Sequence, residues 1–189
     1  MSGLNLPIPI PRNLFLAKQV DQASINEISK AIIAINEDDE FISKIYAAHD
    51  LSYHPKPIKL YVDSYGGYVY QCFGLLGIMK ASKAPIHTIV TGCAMSCGFM
   101  IAIHGNHRTA HKHATLMYHQ VSTGARGKVA DVEEDILEAK RLQKVIEEMT
   151  QETTKITKDK LDKVYKKKQD WYMDAKDALK WGCVDVIVT

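Results

Sequence analysis

The chain has 189 residues, of which 46% are hydrophobic and 24% are charged. This length and composition predict a single globular domain over residues 1–189 with its own hydrophobic core, and they exclude wholesale disorder. The formal net charge of only +2 gives no indication of nucleic-acid binding or of attachment to an anionic membrane by charge.

Two further features bear on the cellular compartment. No apolar run approaches the roughly 18 residues of a membrane span, and the first residues lack the basic and apolar regions of a secretory leader. The four cysteines are too few and too scattered for a disulfide framework in a chain of this length. We therefore expect a cytoplasmic protein whose thiols stay reduced.

The first half of the chain predicts strands and helices in alternation. Residues 1–11 hold three prolines and predict an extended arm. Ser24 and Glu27 are spaced as a capping box and predict the start of a helix, whereas residues 37–57 predict an irregular connector. Short apolar runs predict strands over residues 13–17, 58–62 and 86–90.

The second half continues the pattern. Helical spacing of apolar residues predicts helices over 69–79, 94–103 and 130–153, and strands are predicted over 115–118 and 184–188. Asp174 and Gly182 bound a last short helix. Strands that alternate with helices at these lengths predict an α/β fold of βαβ units around a mainly parallel sheet.

Two turns and two later residues carry the candidate chemistry. Gly67 lies in a Gly-Gly turn, and Ser96 lies in a second glycine-rich turn at the start of a helix. Taken singly, each of these residues is more often structural. Together, however, Ser96, His119 and Asp170 supply a nucleophile, a base and a carboxylate that orients the base, and the amides of Gly67 and Cys97 could form an oxyanion hole.

The order of these motifs resembles the Clp protease proteolytic subunit, ClpP. The family's pattern has an S-P-G-G turn, then G-x-A-x-S-x-G, then a strand that ends in M-x-H-Q. The corresponding segments here are residues 64–67, 92–98 and 117–120, and residues 170–185 are similar to the family's D-x-F-x-x-A…A…YGLVD ending. Each motif alone is modest, but four in the same order are highly specific.

The resemblance implies a serine endopeptidase that cleaves unfolded proteins or peptides. Ser96, His119 and Asp170 match the family's catalytic triad, and Gly67 and Cys97 match its oxyanion-hole residues. The resemblance also implies that an extended substrate pairs as an added strand, and the residues at these positions are Val69, Ser122 and Thr123.

The resemblance further implies a ClpP/crotonase-like spiral of βαβ units with a protruding helix-strand handle at residues 124–153. It implies self-assembly into two stacked seven-membered rings, a tetradecamer in which the triad becomes aligned. An ATP-driven AAA+ unfoldase would feed the barrel, and no cofactor or metal is expected in the subunit itself.

Four departures from the family pattern stand out. Tyr65 and Val121 replace the usual prolines in the first turn and after the His-Gln pair. The stretch before the first strand is shorter than usual, and the connector at 37–57 is longer. They predict a divergent member, encoded by a phage or present as one of several paralogues, and they bear on recognition of the unfoldase.

Other interpretations remain open at this point. Four histidines within ten positions suggest a zinc site, but their spacing favours solvated polar residues: His104, His107, His111 and His113. A crotonase-like enzyme acting on acyl-CoA would share the fold and the oxyanion hole. A non-catalytic ring subunit would act only as a scaffold, although a scaffold has no chemical reason to keep all three triad residues.

Overall fold

The computed structural model describes residues 10–189 and contains seven strands and six helices within that range. Only the last two residues of the predicted 1–11 arm fall inside it, and neither belongs to a helix or strand. In chain order the elements are β1 (Asn13–Leu16), α1 (Gln22–Ala47), β2 (Ile58–Ser64), α2 (Val69–Ala81), β3 (Ile86–Met95), α3 (Cys97–Ile103), β4 (His107–His111), β5 (Thr115–Tyr118), α4 (Val129–Thr153), α5 (Lys158–Lys167), β6 (Trp171–Asp174), α6 (Ala175–Lys180) and β7 (Val186–Val188).

The sheet is parallel along its main path, in the order β1-β2-β3-β4-β7. Strand β3 is long enough to pair with two strands on the same side. Its first half pairs with β4, and residues 93–95 pair with β5. Strand β6 then adds to β5 in the antiparallel direction. This architecture confirms the α/β fold class and the mainly parallel sheet.

One hydrophobic core lies between the sheet and the helices. In β2, Ile58, Leu60 and Val62 are buried, whereas the alternating Lys59 and Asp63 are exposed, which is the period-two pattern of a sheet with one covered face. All seven residues of α3 are buried, which explains why its sequence is apolar all round.

The predicted connector at 37–57 is wrong in its first half, because α1 continues to Ala47 and is the longest helix of the described chain. The reason is tertiary. Asp39 would lie on the buried side of the helix, and it is accommodated there because Arg12 and Tyr53 hydrogen-bond its carboxylate. Asp39 therefore interrupts the apolar stripe in the sequence, although the helix continues through it.

Several element boundaries also differ from the sequence expectation. Strand β3 extends to Met95, so that the predicted helix 94–103 begins only at Cys97. The N-cap of α1 is Asp21, with Ser24 as its reciprocal partner, and not Ser24 with Glu27. Asp174 does cap the last helix, since its side chain accepts a hydrogen bond from the Asp177 amide.

The segment predicted as a handle, 124–153, consists of helix α4 preceded by residues without regular structure. Helix α4 carries three exposed apolar residues in its first half, Val129, Ile136 and Leu137. Within residues 10–189, no helix combines the length and the hydropathy that a membrane span requires.

Candidate active site

The Gly66-Gly67 turn between β2 and α2 is fixed against the segment before α1. The Ser64 hydroxyl donates to the Lys18 carbonyl at 2.6 Å, and the Val20 amide donates to the Gly66 carbonyl at 2.8 Å. Both glycines have φ in the left-handed region, +100° and +154°. A Cβ on Gly66 would lie only 2.7 Å from the Met95 carbonyl oxygen, so no other residue fits here.

Ser96 occupies the turn from β3 into α3, on the other side of this glycine. Its backbone has φ 53° and ψ −121°, a conformation that non-glycine residues rarely adopt. The Ser96 amide donates to the Met117 carbonyl at 3.0 Å, which ties the turn to β5. A strained residue at a strand-to-helix turn is a typical position for an exposed nucleophile.

Gly67 and Cys97 line the same cavity as Ser96. Within residues 10–189, neither N–H donates to an oxygen or nitrogen acceptor, so neither is already paired. The Cys97 thiol also lies 3.2 Å from the Gly67 carbonyl oxygen. The two candidate oxyanion-hole residues are therefore held directly against each other.

Cys97 has a second thiol beside it. The neighbouring thiol is that of Cys72. The pKa of Cys97 is lowered, first by the Cys72 side chain and then by the Gly67 backbone, whereas the pKa of Cys72 is raised by the Cys97 side chain and by burial. Both cysteines are buried and free. Cys93, on the other side of the serine, is only partly buried.

His119 follows β5, and Asp170 precedes β6. His119 Nδ1 lies 3.6 Å from Asp170 Oδ1, which is close but longer than a hydrogen bond. The histidine side chain is 24% exposed and the carboxylate 55% exposed. Within the described residues no hydrogen bond joins the Ser96 hydroxyl to His119, so the three groups are gathered but not aligned.

A cavity of about 60 Å³ lies beside the two turns and the end of β5. Ser96 and His119 both line it, together with Gly67 and Cys97. Its remaining lining is mostly apolar: Val69, Met100, Tyr118, Gln120, Val121, Ser122 and Ile146. The arrangement offers a hydroxyl, an imidazole and two amides at the mouth of an apolar pocket.

The predicted substrate-binding residues are not all on this cavity. Val69 and Ser122 line it, whereas Thr123 lines a separate cavity on the other side of the same segment. Asp170 contacts His119 but does not line the cavity itself. Ile146 was missed, because its place in the apolar stripe of α4 made it look like an ordinary core residue.

The clustered histidines do not converge. His107 and His111 lie on β4, His113 is exposed in the turn that follows, and His104 caps α3 with its Nδ1 2.6 Å from the Met100 carbonyl oxygen. Among residues 10–189, no group of three or more His, Cys, Asp or Glu side chains has the geometry to hold a metal ion.

Comparisons with known proteins identify one family. The family model for Clp protease matches residues 10–189. The ATP-dependent Clp protease proteolytic subunit 1 of Prochlorococcus marinus (strain MIT 9312) is 27% identical over 183 residues, covering 94% of this chain and 84% of that protein. The ATP-dependent Clp protease proteolytic subunit of Deinococcus radiodurans is 31% identical over 133 residues, covering 69% of this chain and 64% of that protein.

A third relative, the ATP-dependent Clp protease proteolytic subunit of Bacteroides thetaiotaomicron, is 27% identical over 180 residues, covering 94% of this chain and 74% of that protein. The resemblance that the four sequence motifs suggested is thereby confirmed over nearly the whole chain. The chain belongs to the Clp protease family.

Proposed function

We propose that this protein is a serine endopeptidase in which Ser96 is the nucleophile, His119 the general base and Asp170 the carboxylate that orients it. The observation that supports the proposal is the shared cavity, which Ser96 and His119 line together with Gly67 and Cys97. Membership of the Clp protease family supports the same reaction.

The proposed reaction proceeds through an acyl-enzyme. His119 accepts the proton of the Ser96 hydroxyl as its oxygen attacks the peptide carbonyl carbon, and the Gly67 and Cys97 amides donate to the oxyanion that forms. The imidazolium then gives its proton to the leaving amine. A water molecule then attacks the acyl carbon while His119 accepts its proton, and the imidazolium returns that proton to the Ser96 oxygen as the bond between this oxygen and the acyl carbon breaks. Asp170 stabilises the imidazolium in both halves of the reaction.

The apolar lining of the cavity bears on the substrate. Val69, Met100 and Ile146 present no charge to a bound side chain, so we propose cleavage after hydrophobic residues. Met95, the last residue of β3, does not line the cavity. The substrate main chain would pair with the segment at Val69 and with Ser122.

The incomplete alignment bears on assembly. The 3.6 Å separation of His119 and Asp170 and the missing bond from Ser96 to His119 describe a triad that needs a small adjustment to work. We propose that ring assembly, as a tetradecamer of this chain, makes that adjustment. The relatives' names describe ATP-dependent proteases, so an AAA+ unfoldase is proposed as partner and the cytoplasm as location.

The competing functions make different demands on the chain. A crotonase-like enzyme would bind an acyl-CoA thioester and would not need Ser96, whereas a ring scaffold would need neither binding nor turnover. Purified assembled protein should hydrolyse fluorogenic peptides with an apolar residue before the scissile bond, and coenzyme A thioesters should not compete. Binding of the thioester without peptide turnover would favour the first alternative, and an inert barrel the second.

A further inference from the structure

The segment that follows His119 has little to hold it in place. Residues 119–128 form no helix or strand. Gln120 and Val121 line the active-site cavity on one side and, on the other, a second cavity of about 180 Å³ beneath α4. The backbone at Gln120 and Val121, next to the general base, therefore separates two cavities, and packing alone does not fix its position.

One buried side chain of α4 contacts the segment after His119. Gln143 is only 7% exposed, and its Oε1 accepts a hydrogen bond from the Val121 amide at 2.8 Å. Within the described residues this is the one hydrogen bond to the backbone of residues 120–127 outside the strand ladders.

The same amide group reaches the residue before the histidine. Gln143 Nε2 donates to the Tyr118 hydroxyl at 3.3 Å and to Glu147 Oε1 at 2.7 Å. Tyr118 is 2% exposed and packs edge-on against Phe99 at 5.8 Å between ring centroids, so its hydroxyl is a firm anchor. Gln143 thus holds the chain on both sides of His119.

Val121 gives this contact a specific meaning. In the Clp family pattern a proline commonly follows the His-Gln pair, and proline has no amide hydrogen to satisfy. Valine at this position introduces a half-buried N–H that would cost free energy if unpaired. The Gln143 side chain pairs with that N–H.

From these contacts we infer that Gln143 is a positioning residue for His119, and that it compensates for the replacement of proline by valine at position 121. The inference rests on the proposed function, because it assigns a role relative to the general base. It adds a link from helix α4 to the catalytic histidine that the four family motifs do not contain.

The test is a double-mutant cycle on assembled protein. Gln143→Met keeps the length and volume of the side chain but leaves the Val121 N–H unpaired, so we expect kcat for a fluorogenic peptide to fall about 10- to 100-fold. Val121→Pro alone should cost less than about 3-fold, since no N–H remains to satisfy. The double variant should resemble Val121→Pro alone and recover most of the kcat lost in Gln143→Met.

The matched control is Gln151→Met. It removes another glutamine of α4, one that bonds only the Glu147 carbonyl at 3.1 Å, and it should leave kcat unchanged. If Gln143→Met fails to assemble, the double variant decides: recovered assembly and turnover support the inference. Multiplicative losses in the double variant, or wild-type kcat in Gln143→Met, would overturn it.

A second readout separates this inference from the proposed function. Amide hydrogen exchange of residues 119–127 reports, without any catalysis, how firmly Gln143 holds this segment. The exchange should accelerate in Gln143→Met but not in Gln151→Met. If exchange accelerates in Gln143→Met although the wild type hydrolyses no peptide, the serine peptidase is rejected and the positioning contact of Gln143 is kept. Unchanged exchange in Gln143→Met would reject the positioning role of Gln143, whatever the activity.

Discussion

His119 lies directly opposite Asp170 because the register of an antiparallel strand pair continues one step beyond its last partners. In that pair Tyr118 of β5 is opposite Trp171 of β6, and the next residues outward are His119 and Asp170. Their side chains approach to 3.6 Å. Strand pairing alone therefore brings together two groups that are 51 positions apart in the sequence.

Asp170→Asn tests the consequence of this register. We expect kcat to fall by about 10³- to 10⁴-fold, because an amide neither holds the imidazole in the required tautomer nor stabilises its protonated form. The side chain is 55% exposed, so the melting temperature should stay near that of the wild type. Asp159→Asn, on the exposed first turn of α5, is the control and should leave kcat unchanged.

Gly66→Ala tests the contact between the two active-site turns. The new Cβ would lie 2.8 Å from the Ser96 Cβ, at a φ of +100° that alanine rarely adopts. We expect a loss of stability of about 1–3 kcal/mol and a fall in kcat of about 10²-fold or more. Thermal melting and peptide turnover measure the two effects.

Gly74→Ala is the matched control for that change. Gly74 lies within α2, and a Cβ there meets nothing within 4 Å. The substitution should raise stability by about 0.5–1 kcal/mol and leave turnover intact. Equal activity in the two alanine variants would argue against the proposed packing of Ser96 on the glycine turn.

Val69→Glu tests the apolar pocket. Val69 is the first residue of α2, where a carboxylate is compatible with the helix, and it lines the cavity. A profile of cleaved peptides should shift from apolar toward basic residues before the scissile bond, with a lower kcat/KM for the apolar ones. A profile identical to that of the wild type would place the pocket elsewhere.

Asp185→Asn tests a pH-dependent contribution to stability. The Asp185 carboxylate accepts hydrogen bonds from Arg108, at 2.8 Å from the backbone amide and at 3.1 Å from Nε. These bonds lower the pKa of Asp185 from its ordinary value of 3.8. A lowered carboxyl pKa stabilises the fold above pH 3.8, and this stabilisation is lost as the pH falls through the lower folded-state value.

We therefore expect Asp185→Asn to melt at a lower temperature than the wild type at pH 7, with the difference shrinking below about pH 4. Circular dichroism melts across this range give the comparison. A difference that stayed constant down to pH 2 would mean that the charge of Asp185 is not the stabilising feature.

The sequence was most informative where one short segment determines the outcome. The strand-to-helix turns at Gly67 and Ser96 are local, so their motifs located them without the fold. Strand β6 was missed because its four residues carry little periodicity, and only pairing with β5 makes them a strand.

Long-range pairs explain the other differences. The second half of α1 was missed because Asp39 interrupts the apolar stripe, and its partners Arg12 and Tyr53 are distant in sequence. Gln143 was missed for a similar reason, since a polar residue in an exposed-looking helix gives no sign that it contacts the segment after His119.

Covalent labelling at Ser96 tests the central claim most directly. A fluorophosphonate should add one label per subunit to the assembled wild type by intact mass, with loss of peptide turnover, because only an activated serine attacks phosphorus readily. Ser96→Ala should take no label and show no turnover while keeping the same native mass. Labelling that persists in Ser96→Ala, or turnover that survives it, would contradict the assignment of Ser96 as the nucleophile.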